Sequence, residues 1–139
     1  MKKKTYLPLT DSVRTVDARG KVLGRLATEV AVILRGKDKI TFAPNKVEGD
    51  RVIIIHAESF HVTGKKLDQK VYRSHSGYLG NMKEMKMRQL MIDRPETILE
   101  MAIYNMLPKN RLRRELMKRL TIHRKEAPAT THQPKEQQA

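Results

Sequence analysis

The run Arg51-Val52-Ile53-Ile54-Ile55-His56-Ala57 constrains the fold more than any other stretch of the chain. It is too short for an ordinary helix. Its apolar residues are unbroken rather than alternating, which suits a central strand covered on both faces. Upstream, Val13 to Asp17 is rich in β-branched residues and closes on the turn Ala18-Arg19-Gly20, a second strand signal. Between the two, Val22 to Arg35 has helical periodicity. Leu23, Leu26, Ala27, Val30, Ala31, Ile33 and Leu34 share one face. Arg25, Thr28 and Glu29 lie opposite, with Arg25 and Glu29 spaced i,i+4 as an exposed ion pair. Gly36 supplies a C-terminal stop. Strand, amphipathic helix and buried strand make a βαβ unit. The expected class is therefore α/β, a single domain with a mainly parallel central sheet flanked by helices.

The remaining chain adds smaller elements. Phe60-His61-Val62-Thr63 and Lys70-Val71-Tyr72-Arg73 read as strands separated by Gly64-Lys65-Lys66, followed by a glycine-containing loop from Ser74 to Asn81. A weakly periodic helix is expected from Lys83 to Ile92. Asp93 followed by Glu96 has capping-box spacing, and Pro95 fits a first turn. Ile98, Leu99, Ala102, Ile103 and Met106 form the buried face of that next helix, which Pro108 breaks. A last helix is expected from Asn110 to Ile122. Residues 1–12 read as an N-terminal arm, 1–126 as the domain, and 127–139, rich in Pro, Thr, Gln and Lys, as a flexible tail.

With 139 residues and 39% hydrophobic content, one core can form without staples. The absence of cysteine excludes a disulfide framework, thiolate zinc sites and a cysteine nucleophile. No apolar run reaches the 18 residues of a membrane span, so no membrane association is expected. Lys2, Lys3 and Lys4 are followed by a stretch that Pro8 interrupts rather than by an export signal. A cytoplasmic location is the expectation.

The formal net charge is +14, and its placement indicates the partner. Between Lys109 and Lys125 stand eight basic residues against one acid, Glu115. On a helical wheel Leu112, Leu116 and Leu120 form a narrow stripe, while Arg111, Arg114 and Lys118 lie on the far side. A solvated face would carry mixed signs. Guanidinium groups match phosphate with paired donors. A second basic set comprises Arg35, Lys37 and Lys39 past the first helix, with Lys65, Lys66, Lys70 and Arg73 further on. Aromatic residues make up only 4%, too few for a binder working mainly by base stacking. Tyr78 is the one stacking candidate, with a packed loop anchor as the alternative. The expected target is folded, largely helical RNA or DNA held through its backbone.

Other chemistries lack their residues. Gly20 and Gly24 satisfy neither G-x-G-x-x-G nor the P-loop pattern, and Gly36-Lys37 precedes Asp38 rather than Ser or Thr. Gly24, near a helix start, has close packing or phosphate contact as its two readings. His56, His61, His75, His123 and His132 show no paired i,i+4 spacing, so no metal site is expected. Ser74-His75-Ser76 lacks an identifiable third group for nucleophilic catalysis, and a loop contact to RNA fits it better. Met82, Met85, Met87 and Met91 read as core filler. No catalytic residue, cofactor or small-molecule substrate is expected. The rivals are a nucleotide-using enzyme and a sequence-independent DNA-binding module.

The same segments resemble a known family. Val16-Asp17-Ala18, Leu23-Gly24-Arg25-Leu26-Ala27, Leu34-Arg35-Gly36-Lys37-Asp38-Lys39, Gly49-Asp50, Val62-Thr63-Gly64-Lys65-Lys66, His75-Ser76-Gly77-Tyr78, Arg94-Pro95-Glu96 and Met106-Leu107-Pro108-Lys109-Asn110-Arg111-Leu112 occur in order. The set is similar to bacterial large-subunit ribosomal protein L thirteen. The resemblance implies an α/β domain without catalytic activity that binds large-subunit ribosomal RNA early in assembly and has neighbouring large-subunit ribosomal proteins as partners. It implies RNA contacts at Arg25, Arg35, Lys37, Lys39, Lys65, Lys66, His75, Ser76, Tyr78, Lys109, Arg111, Arg113, Arg114, Lys118 and Arg119, to which the charge pattern adds Arg73. The sequence departs from the family pattern at Val13, Leu79, Asn81 and Arg113, and in its last twenty residues.

Overall fold

The computed structural model describes residues 12–126. In chain order these form β1 (Val13–Asp17), α1 (Leu23–Arg35), β2 (Arg51–Ile55), α2 (Lys66–Gln69), β3 (Val71–His75), β4 (Met82–Lys86), α3 (Met87–Asp93), α4 (Pro95–Met106), α5 (Arg113–Lys118) and β5 (Leu120–Ile122). The expected arm and tail lie almost wholly outside the described residues.

The central strand is β2, with β1 parallel on one edge and β5 parallel on the other. Val16 and Ile122 both align with Ile54. Val52, Ile53 and Ile54 are all buried. Successive strand residues face opposite sides, so both faces of β2 are covered, as the unbroken apolar run requires. The α/β class with a parallel central sheet is therefore observed.

Helix α1 buries Leu26, Ala27, Val30, Ala31, Ile33 and Leu34 and packs on α4 and β2. Full burial of each large aliphatic side chain is worth about 1.5–3 kcal/mol. At its end Gly36 adopts φ +72°; its N–H reaches Ile33 O and the Lys37 N–H reaches Val32 O. This paired bonding satisfies two terminal carbonyls and needs a left-handed residue. The chain then returns across the helix end. Gly49 lies so close that a Cβ there would sit 1.7 Å from the Leu34 carbonyl oxygen.

Several local expectations are corrected. Glu29 accepts a salt bridge from Lys21 at 2.9 Å rather than from Arg25. Phe60 to Thr63 makes only a single bridge, His61 to Val22. Phe60 and Val62 are buried anchors there, but among the described residues no neighbouring strand continues the ladder. The expected helix over 83–92 starts only at Met87; Met82–Lys86 is β4, antiparallel to β3. Its Lys and Glu residues carry little strand propensity, so the hairpin partner decides its conformation. Asp93 does not cap α4. The cap position is Arg94, without a side-chain cap, and Pro95 opens the helix. Met106, expected on the buried face of α4, is 50% exposed.

The largest change is at the last helix, which ends at Lys118. Residues 120–122 become β5. Backbone groups on the second edge of β2 need partners. The Val52 N–H donates to Arg119 O, and the His123 N–H donates to Ile54 O.

Candidate nucleic-acid interface

The expected contact residues fall into three local groups. The first surrounds the turn between α4 and α5. Lys109, Arg111, Arg114 and Lys118 are exposed. Lys118 pairs with Glu115 at 3.0 Å. Among the described residues, Lys109, Arg111 and Arg114 have no acidic partner within salt-bridge distance. Tyr104, Lys109, Asn110, Arg111, Arg113, Arg114 and Glu115 line a shallow cleft of about 820 Å³. The short α5 is seated by Leu116, which is 3% exposed.

Two members of this group are placed differently. Arg113 is 8% exposed. Its Nε donates to Pro108 O at 3.0 Å and its Nη2 to Leu107 O at 3.1 Å. Its guanidinium carbon lies 4.3 Å from the centre of the Tyr104 ring. With Leu116 facing the core, position 113, one turn earlier, faces inward as well. Arg113 thus clamps the turn that presents Lys109 and Arg111. Arg119 is half-buried and donates to the Gly49 carbonyl, tying the start of β5 to the loop before β2.

The second group follows α1. Lys37 is exposed, while Arg35 is half-buried with its guanidinium 5.4 Å from the Phe42 ring centre. Lys39 is turned inward to Asp50. Arg14 completes the network, with its Nε 2.8 Å from Asp50 Oδ2 and its Nη2 2.6 Å from Asp38 Oδ2. Asp50 is fully buried. Burial pushes its carboxyl pKa up, but hydrogen bonds from Lys39 and Ser12 and the charges of Lys39 and Arg14 outweigh this. The group is held below the usual carboxylate range. Lys39 is thereby largely committed to the fold.

The third group is carried by α2 and the β3–β4 hairpin. Lys65 and Lys66 are exposed. A cleft of about 340 Å³ brings Lys66 and Lys70 to the first turn of α1 at Leu23 and Gly24, next to exposed Arg25. The strand pairing places Arg73 opposite Glu84 and His75 opposite Met82 on the same side of the hairpin. Arg73 Nε contacts Glu84 Oε1 at 2.7 Å. His75 Nδ1 accepts the Gly77 N–H at 3.0 Å, and Ser76 Oγ accepts from Asn81 Nδ2 at 2.8 Å. These bonds shape the hairpin tip. Tyr78 is not a packed anchor: it is 78% exposed.

Other charged residues were not visible from spacing. Lys83 and Lys86 join the hairpin because β4 is a strand. A further cluster sits where β1 and β2 end. His56, 9% exposed, has φ +57°, rare for a residue with a Cβ. Its Nδ1 lies 3.2 Å from Asp17 Oδ1, and its Nε2 contacts Arg19 Nη2. The Asp17 pKa is lowered first by the Arg19 backbone N–H, against a smaller opposing effect of burial, and further by His56. Only the fold brings positions 17, 19 and 56 together. Among the described residues no group of three or more His, Cys, Asp or Glu is placed to hold a metal ion. Among them, too, no helix is long and apolar enough to cross a membrane.

Comparison with known proteins identifies the family. The family model described as Ribosomal protein L13 matches residues 11–129. The chain is 52% identical over 124 residues to the large ribosomal subunit protein uL13 of a Synechocystis species, covering 86% of this chain and 82% of the relative. It is 46% identical over 122 residues to that of Thermus thermophilus, covering 86% and 87%. Identity to the Maridesulfovibrio salexigens protein is 42% over 137 residues, covering 95% and 96%. With the ordered motifs, the parallel sheet and these matches along most of its length, the chain belongs to the ribosomal protein L13 family.

Proposed function

We propose that this protein is a structural constituent of the large ribosomal subunit in the cytoplasm, binding large-subunit ribosomal RNA and supporting early assembly beside neighbouring ribosomal proteins. As a member of a ribosomal-protein family it is not an enzyme. The observation that carries RNA binding is the cleft between α4 and α5, where Lys109, Arg111 and Arg114 are exposed without acidic partners among the described residues. Guanidinium and ammonium groups so placed neutralise closely spaced phosphates and allow RNA helices to approach each other. Lys37, Lys65, Lys66 and Arg25 extend the cationic surface. Arg73, His75, Ser76, Tyr78 and Lys118 are further contact candidates. Arg113, Arg119 and Lys39 act mainly inside the protein, supporting the segments that carry the others.

Co-sedimentation from a lysate, followed by competition between equal masses of large-subunit ribosomal RNA and duplex DNA, tests the reading. The protein is expected to travel with large subunits and to prefer the RNA. Equal competition by DNA, without co-sedimentation, would support the sequence-independent DNA-binding alternative.

A further inference from the structure

The β3–β4 hairpin carries apolar groups that the core does not use. Tyr78 is 78% exposed and Leu79 104% exposed at its tip. The tip is nevertheless well held. The Asn81 N–H bonds back to Tyr78 O at 3.3 Å, with Gly80 at φ +74° between them, the pattern of a tight turn with a left-handed third residue. The bonds from Gly77 to His75 and from Asn81 to Ser76 brace it further. An aromatic ring and an aliphatic side chain are thus presented to solvent on a backbone that is braced before any partner arrives, which lowers the ordering cost of binding.

We propose that this tip is a single-base clamp. On binding, the Tyr78 ring stacks on one unpaired nucleotide of large-subunit ribosomal RNA, with Leu79 wedged beside it. The inference rests on the RNA-binding reading above and deepens it. Charge selects the occupant. Lys83 stands next to the tip on β4, opposite Ser74, and Glu84, the acid of that strand, is occupied by Arg73. The surroundings therefore favour a polyanion. One exposed ring suits one splayed base, since every base offers a π-face to an aromatic side chain. His75 Nδ1 is used within the turn, which leaves the other ring nitrogen and the Ser76 hydroxyl for sugar or phosphate contacts.

The test uses the full chain with isolated large-subunit ribosomal RNA, comparing wild type, Tyr78→Phe and Tyr78→Ala across a salt series, with melting temperatures in parallel. Tyr78→Ala is expected to weaken binding by about 5- to 150-fold, the range for losing one stacked base. The salt slope should not change, because no charge is removed. Tyr78→Phe should stay within about threefold of wild type, because the ring remains. Chemical probing should show one unpaired base protected by wild type and Tyr78→Phe but not by Tyr78→Ala. Unchanged affinity of Tyr78→Ala overturns the clamp, as does a Tyr78→Phe loss equal to that of Tyr78→Ala. A lowered melting temperature for Tyr78→Ala also overturns it, by making the ring a structural anchor. If wild type itself shows no salt-sensitive RNA binding, the broader reading fails first.

Discussion

Arg113 provides a sharp test because the sequence alone places it among the RNA contacts and the structure places it inside. Arg113→Ala removes two charge-assisted hydrogen bonds, to Pro108 O and Leu107 O, and a cation–π contact with Tyr104. Bonds from a charged donor contribute about 1.5–3 kcal/mol each, and the ring contact about 0.5–2 kcal/mol. Desolvation of the guanidinium offsets much of that sum. The variant, however, also leaves the Leu107 carbonyl without its partner, while Pro108 O keeps the Asn110 N–H, so a net loss of about 2–4 kcal/mol is expected. For a domain of this size the melting temperature should fall by roughly 10 °C or more. Urea denaturation of Arg113→Ala, Arg111→Gln and Arg114→Gln measures it directly. The last two should stay within about 0.5 kcal/mol of wild type because their side chains are exposed. An Arg113→Ala variant as stable as wild type, with a salt slope of RNA binding lowered by about one phosphate contact, would make Arg113 an RNA contact rather than a clamp.

Three further outcomes follow from the fold. Gly49→Ala forces a methyl group against the Leu34 carbonyl, so the loop before β2 must move; a loss of about 3 kcal/mol or more in thermal unfolding is expected, and an unchanged melting temperature would contradict the close approach. The Asp50 and Asp17 carboxyls are both held below their ordinary range. They contribute stability that is fully present above the unfolded value of about 3.9 and lost as the pH falls through the lower folded values. Asp50→Asn should flatten that acid limb in urea titrations from pH 7 to 3 and lower stability at neutral pH, where Lys39 and Arg14 lose their buried anion; an acid limb as steep as that of wild type would oppose this. Hydrogen exchange should find the His123 amide protected through its bond to Ile54 O, and rapid exchange there would remove β5 from the sheet.

The parts legible in the sequence were those governed by local periodicity. The apolar run of β2, the amphipathic face of α1 and its glycine stop each carry a pattern that only one conformation satisfies. Residues 82–86 and 120–122 are strands because of partners distant in the chain, β3 for one and the open edge of β2 for the other. Neither segment advertises this. The same limit governs the basic residues. Counting charge between Lys109 and Lys125 locates a cationic region, but spacing on an assumed long helix cannot separate exposed Arg111 and Arg114 from Arg113 clamped on carbonyls or Arg119 on Gly49. Lys39 similarly reads as a loop cation in the linear sequence, since its buried partner Asp50 is supplied by the chain's return. The cluster of Asp17, Arg19 and His56 depends on two adjacent strand ends and has no signature in the linear order. The position of Tyr78 at an exposed, braced tip likewise needed the β3–β4 pairing.

RNA binding through the α4–α5 cleft requires its exposed cations to neutralise RNA phosphates. Its most direct measurement is the slope of log K against log salt for ribosomal RNA, comparing wild type with the variant carrying Lys109→Gln, Arg111→Gln and Arg114→Gln. A steep wild-type slope is expected, with a reduction of about two to three in the variant, at roughly 0.7–0.9 per phosphate contact, and unfolding stability unchanged. Equal slopes for the two proteins would contradict it.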